Sequence, residues 1–266
     1  HCEWSSNEKT AMESALGMSY SGKRTLVCMK HVGMNVCADA FVNSAITGAN
    51  GGLVVVACDD PSQHSSQNEQ DSRFYADFAM VPCFEPSNQQ EAYDMVREAF
   101  EYSESRHIPV LMRLTTRMAH SRAVVSTGEI LEENQVKFPE PQLASNWVTL
   151  PANARKRVRQ LADDVLAFTA DSEDSQDNAF VKGTDDSVGI ITCGIAYNYL
   201  MENFPDGCPY PVLKVTRYPF PKKQARELAS MCSRIIVMEE GQPLIEERLR
   251  GLLYDGDNAA LTISGR

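Results

Sequence analysis

Glu8 is the residue whose type and placement most invite chemistry. At helical spacing it shares a face with Ala11, Met12, Ala15 and Ser19, in the centre of an apolar stripe, whereas Glu13 points away from it. A carboxyl group turned toward a core is the kind of group that clusters at functional sites. A second reading is structural: Ser5 and Glu8 have the spacing of a capping box, which would tie the carboxylate back to the helix start. His31 and His64 are further candidates, on loops at adjacent strand ends, and Arg113, Arg117 and Arg122 could bind a carboxylate. The pattern alone leaves each of these open to a plain surface or ion-pair role.

Apolar runs and helical periods supply the elements that must hold these groups. Residues 9–20 read as a helix, and strand-like runs follow at 25–29, 53–58, 80–84 and 110–114. Between the last two runs lies a helix with Ser87 and Gln90 as its capping box and a stripe of Ala92, Tyr93, Val96, Ala99 and Phe100. Short continuous apolar strands alternating with helices predict a parallel sheet covered on both faces. In such sheets ligands bind beyond the carboxyl ends of the strands. Those ends are Lys30-His31 with Gly33, Asp59-Asp60-Pro61, Glu85, and Thr115 to Arg117. The polar loop from Ser62 to Asp71 is of the kind that more often carries function than simply connects.

Residues 126–185 read as a connector, broken by Pro139, Pro141 and Pro151, with an amphipathic helix at 155–168 and a solvated acidic run at 171–177. From 186 the alternation resumes. Strands are expected at 188–192, 212–215, 235–238 and 260–263, with helices following Gly194 and at 222–232 and 243–253. The reading is therefore α/β, with two α/β domains at 1–125 and 186–266 joined by a linker with one helix.

Several chemistries find no support. No Gly-x-Gly-x-x-Gly or phosphate-loop lysine motif is present, and Gly48, Gly51 and Gly52 look like a turn. There is no His-Glu-x-x-His and no Gly-x-Ser-x-Gly. The eight cysteines include no Cys-x-x-Cys pair, which argues against a zinc knuckle or a cluster-ligand run, and no metal site is expected. Several cysteines sit inside apolar runs, which suits a reducing cytoplasm. A formal charge of −11 over 266 residues disfavours nucleic acid as a partner. No apolar run approaches the roughly 18 residues needed to cross a membrane. The start at His1 rather than Met suggests that the sequence begins partway into a longer protein.

The residues also carry a resemblance. Glu3-Trp4-Ser5 with Asn7-Glu8-Lys9, Met29-Lys30-His31-Val32-Gly33-Met34-Asn35-Val36, and Asp59-Asp60-Pro61 with His64-Ser65-Ser66-Gln67-Asn68-Glu69-Gln70-Asp71 are its most specific parts. Glu85-Pro86-Ser87, Thr115-Thr116-Arg117, Gly189-Ile190-Ile191-Thr192 and Glu239-Glu240 extend it along the chain. The sequence resembles the thiamine-diphosphate-dependent 2-oxo acid:ferredoxin oxidoreductases, and within them the α subunits that act on indolepyruvate. That resemblance implies a pyrimidine-binding-type parallel sheet followed by a transketolase C-terminal-like domain. The wider group keeps a glutamate nine residues before a glycine on this helix, a spacing that Glu8 and Gly17 share.

The resemblance implies that Glu8 hydrogen-bonds a ring nitrogen of the cofactor's aminopyrimidine and so activates it. Lys30, His31 and Gly33 would lie beside the cofactor. His64 and Gln67 would sit near the polar end of the substrate, and Arg113 would bind it. The magnesium and diphosphate would be bound by a domain absent from these residues, and iron–sulfur clusters would belong to the full enzyme. Implied partners are a β subunit, ferredoxin, coenzyme A and an aryl pyruvate, in an oligomer. Two alternatives stay open: another 2-oxo acid:ferredoxin oxidoreductase, or a non-catalytic module for subunit assembly.

Overall fold

The computed structural model describes all residues except 131, 135, 139–144, 255–260 and 266. Pro139, Pro141 and the beginning of the expected strand at 260–263 lie outside the described residues.

The first half runs α1 (Glu8–Tyr20), β1 (Thr25–Lys30), α2 (His31–Val36), α3 (Ala38–Thr47), β2 (Leu53–Asp59), α4 (Arg73–Ala79), β3 (Cys83–Phe84), α5 (Gln89–Arg106), β4 (Val110–Thr115) and α6 (Thr116–His120). The second half follows as α7 (Pro151–Asp174), β5 (Phe180–Val181), β6 (Gly189–Cys193), α8 (Ala196–Glu202), β7 (Val212–Val215), β8 (Arg217–Tyr218), α9 (Lys222–Met231), β9 (Arg234–Met238), α10 (Leu244–Leu253) and β10 (Thr262–Ser264).

The first sheet has the order β1-β2-β4-β3-β8. Its first four strands are parallel, and β8 closes the edge antiparallel to β3. β2 is buried along nearly its whole length because helices cover both its faces. Leu53, Val55 and Ala57 face the cluster that contains Met12 of α1, Phe41 of α3 and Ala76 of α4. Val54 and Val56 face Met95 and Ala99 of α5. β1 alternates buried and exposed residues, as an edge strand with one covered face does. The second sheet has the order β10-β9-β6-β7-β5, parallel except for β5.

Four expectations about local structure change. The helix before β1 is not capped by Ser5 and Glu8. Asn7 Oδ1 accepts from the Thr10 amide at 3.0 Å, and Thr10 Oγ1 accepts from the Asn7 amide at 3.3 Å. The cap of α5 falls one residue later than expected, with Asn88 Oδ1 accepting from the Glu91 amide at 2.9 Å while the Glu91 carboxylate takes Ser87 N–H and Oγ–H, both at 2.8 Å. The strand expected at 80–84 shrinks to Cys83–Phe84, because α4 ends at Met80 in a left-handed conformation (φ 59°). The acidic run at 171–177 is not simply solvated: Asp171 accepts from Tyr102 Oη at 2.7 Å and pairs with Arg106, and Asp177 pairs with Arg217 at 2.6 Å.

α7 extends the connector's predicted helix at both ends and buries Leu161 and Phe168 in the main cluster, which also holds core residues of both sheets. With β8 joining the first sheet, the two halves share one continuous apolar interior.

Candidate functional site at the strand ends

α1 runs antiparallel to β1, so its first residue lies at the carboxyl end of that strand. Glu8 is half-buried there, and its side chain rests on Gly33 of α2. A Cβ at position 33 would stand 2.4 Å from Glu8 Cγ and 3.0 Å from Oε1, so only glycine leaves the carboxylate where it is. Gly17 is different, since a Cβ there would meet nothing within 4 Å.

Lys30 and His31 hold the polar loop that follows β2. Lys30 Nζ donates to Ser65 O at 3.0 Å. His31 is fully buried, and its Nε2 contacts Asn68 O at 3.0 Å. A carbonyl only accepts, so Nε2 carries the hydrogen and Nδ1 is left as an acceptor. That Nδ1 is buried with no hydrogen-bond partner in the structure. A buried polar atom without a partner calls for an explanation such as a bound group.

Asp60 organises the same loop from inside. Its carboxylate accepts from Thr116 Oγ1 at 2.7 Å, from the amides of Ser65 and His64 at 2.8 and 3.2 Å, and from Ser66 Oγ at 2.8 Å. The Thr116 hydroxyl is the largest influence holding this carboxyl well below the usual range; burial opposes it, and the Ser65, Ser66 and His64 donors reinforce it. Within the loop Ser62 and Gln63 both take left-handed conformations (φ 66° and 56°), a strained choice for residues other than glycine. His64 and Gln67 project from this loop and are exposed. The structure thus brings Glu8 and Gly33 together, and ties Lys30 and His31 to the loop that bears His64 and Gln67.

Arg113 does not fit its expected role of binding substrate. It is 1% exposed, and its donors are committed: Nε to Asp59 at 2.6 Å, Nη1 to Glu85, and Nη2 to Glu240 O at 2.8 Å. Three of its five N–H groups are thereby taken, and the side chain is enclosed by its acidic partners. Arg117 lies over the Tyr199 ring instead, 5.8 Å from its centroid, and Arg122 is exposed.

Arg73 was not foreseen from sequence. It is equally buried and binds Asp71 through Nε at 2.9 Å, Glu239 through Nη1 at 2.8 Å and Gln242 O through Nη2 at 2.9 Å. Tyr218 Oη donates to Glu85 Oε2 at 2.6 Å. Gly241 closes the group in a left-handed conformation (φ 101°), where a Cβ would lie 2.7 Å from Asp71 Oδ2 and 2.9 Å from Arg113 Nη2. This buried network joins the strand ends of the first sheet to the loop after β9. Asp59, Asp71, Glu85 and Glu239 stand out in the sequence, but nothing beside Arg73 marks it as their partner.

Within the network, burial alone would raise the Asp71 carboxyl, but Arg113 and Arg73 outweigh it and hold the group at about 2. A carboxyl depressed on folding stabilises the protein above its unfolded value, and that contribution is lost as pH falls through the folded one. Stability should therefore decline from about pH 4 toward about pH 2. Asp71→Asn should lower stability at neutral pH and flatten that window, as urea titrations at several pH values would register. An unchanged acid limb in the variant would exclude Asp71 as its source. Glu239 moves the other way: burial pushes its carboxyl up, against the pull of Arg73.

The family model for pyruvate flavodoxin/ferredoxin oxidoreductase, thiamine-diphosphate-binding, matches residues 4–171, and the chain belongs to that family. Among curated relatives, it is 40% identical over 252 residues to the indolepyruvate oxidoreductase subunit IorA of Methanothermobacter thermautotrophicus, covering 93% of this chain and 40% of that protein. The same-named subunit of Archaeoglobus fulgidus is 39% identical over 254 residues, covering 95% of this chain and 41% of that protein. The chain thus spans about two fifths of the length of the curated relatives it matches.

Among solved structures, the 2-oxoglutarate:ferredoxin oxidoreductase of Magnetococcus marinus superposes with a TM-score of 0.70 at 15% identity, covering 98% of this chain and 53% of that one. A split-gene transketolase, described as an inactive beta4 tetramer, gives 0.58 at 15% identity, covering 97% of this chain and 72% of that one. These likenesses bear out the expected α/β class and pyrimidine-binding-type fold. No helix among the described residues is long and apolar enough to cross a membrane.

Proposed function

We propose that this chain supplies the aminopyrimidine-activating half of a thiamine-diphosphate site, in an enzyme that oxidatively decarboxylates aryl pyruvates such as indolepyruvate. The observation that carries the reading is the Glu8 carboxylate seated on Gly33 at the carboxyl end of β1, where a side chain at 33 would displace it. The buried, unpartnered Nδ1 of His31 at the same strand end fits a bound polar group. Both features suit the pyrimidine half of the cofactor. Thiamine diphosphate, when bound, supplies a nucleophilic carbon for the 2-oxo group and an electron sink for decarboxylation.

Glu8 then hydrogen-bonds a ring nitrogen of the aminopyrimidine and holds a proton there. The half-buried setting strengthens that bond relative to one in water. His31 Nδ1 accepts from an N–H or O–H brought into the site, while its Nε2–H keeps the 60–71 loop in place. Lys30 assists through Ser65, and His64 and Gln67 present polar groups toward the substrate. The diphosphate with magnesium and the iron–sulfur clusters belong to other parts of the complete enzyme. A β subunit, ferredoxin as electron acceptor and coenzyme A as acyl acceptor complete the reaction.

The names of the relatives support an indolyl substrate over a small one. With the complete enzyme, kcat/KM for indolepyruvate should exceed that for pyruvate by at least about tenfold, the scale on which an apolar side-chain pocket discriminates. Equal or reversed values would remove the aryl assignment and leave a different 2-oxo acid.

A further inference from the structure

Away from the strand-end site, a cavity of about 410 Å³ opens between α4, α7, α9 and α10. Its size falls in the range typical of small-molecule pockets, roughly 300–1,000 Å³. The lining is mixed, and its apolar part is formed by Val165 of α7, Phe220, and Leu244 and Leu252 of α10. The inner end is formed by Tyr218 and Arg73. Arg73 cannot serve a ligand there, because its guanidinium is spent on Asp71, Glu239 and the carbonyl of Gln242. A charged group inside would therefore be desolvated without a partner, which is costly.

The mouth is different. Lys222 and Arg226 lie one turn apart on α9, both exposed, and neither forms an ion pair with any described residue. Arg248 at the rim is already paired with Asp77, which leaves Glu247 as the remaining acidic residue among the described residues that line the cavity. The rim thus carries a net positive charge in a chain whose formal charge is −11.

We infer that this cavity binds a small amphipathic monocarboxylate, its aryl or alkyl body inside and its carboxylate at the mouth between Lys222 and Arg226. The site is separate from the strand-end site and does not depend on the function proposed for it. Its inner wall belongs to the buried network, so an occupant would rest on the residues that anchor the 60–71 loop.

The probe is indole-3-acetate, which has the required shape and lacks a 2-oxo group, titrated calorimetrically into the intact protein. Saturable binding is expected, weakened at least about tenfold by Arg226→Glu, a difference of about 1.4 kcal/mol. Arg226 is exposed, so its replacement should leave folding intact. Filling the cavity with Thr169→Trp should abolish binding, whereas Glu8→Gln should not change it. The proposal is overturned if no binding occurs or if neither Arg226→Glu nor Thr169→Trp weakens it. Loss of binding in Glu8→Gln but not in Arg226→Glu would also overturn it, by putting the ligand at the strand-end site.

Discussion

Glu8→Gln should lower decarboxylation by the complete enzyme by about 10²–10⁴-fold, the usual contribution of a positioned proton-transfer group. Glutamine keeps the shape and one hydrogen-bonding oxygen but cannot hold the proton on the ring nitrogen. Affinity for thiamine diphosphate should change only a few-fold, since glutamine retains a hydrogen bond to the ring. Thermal stability should barely move, because Asn7 and Thr10 cap α1 without help from Glu8. An acidic residue in the first turn interacts with the helix dipole by about 0.3–1 kcal/mol at most sites. Gly33→Ala provides an independent handle on the same group. Its added Cβ would stand 2.4 Å from Glu8 Cγ, so the carboxylate must shift and activity should fall while the carboxyl itself is retained. Full activity in both variants would mean that Glu8 merely begins a helix.

Arg113→Met should produce the largest loss of stability. Removing one partner of a buried ion pair costs about 3–5 kcal/mol, because the opposite charges are left desolvated and uncompensated. Here Asp59 and Glu85 would lose their closest guanidinium and Asp71 one of two. At about 2–4 °C per kcal/mol for a protein of this size, the melting temperature should drop by about 6–20 °C. The experiment also separates the two roles considered for Arg113. A substrate-binding arginine would raise KM and leave thermal unfolding alone. A melting temperature within about 2 °C of the parent's would mean that the network contributes little and that Arg113 is free for another role.

The strands that build the first sheet were legible because burial on both faces writes itself as an unbroken apolar run, as in Leu53 to Cys58. α1 and α5 were legible from their 3.6-residue stripes, and Glu8 stood out because its position in such a stripe is a property of spacing alone. The strand ends that could carry chemistry followed from the same pattern. The caps of α1 and α5 differ from the local reading, since Ser, Asn and Thr near a helix start offer several competing boxes and only the backbone geometry selects one.

The fate of Arg113 could not be read from its neighbours in sequence. Its partners come from Asp59, Glu85 and a carbonyl 127 residues away, and nothing local to 113 distinguishes an arginine awaiting a substrate from one already surrounded. The same holds for the joining of β8 to the first sheet and for the cavity walled by α7, α9 and α10. The strand and helix pattern, the strand-end candidates and the family resemblance all follow from local order along the chain and can be read from it directly. Which charges are buried together, which loop Lys30 and His31 hold, and where a cavity remains depend instead on long-range packing, which local periodicity does not encode.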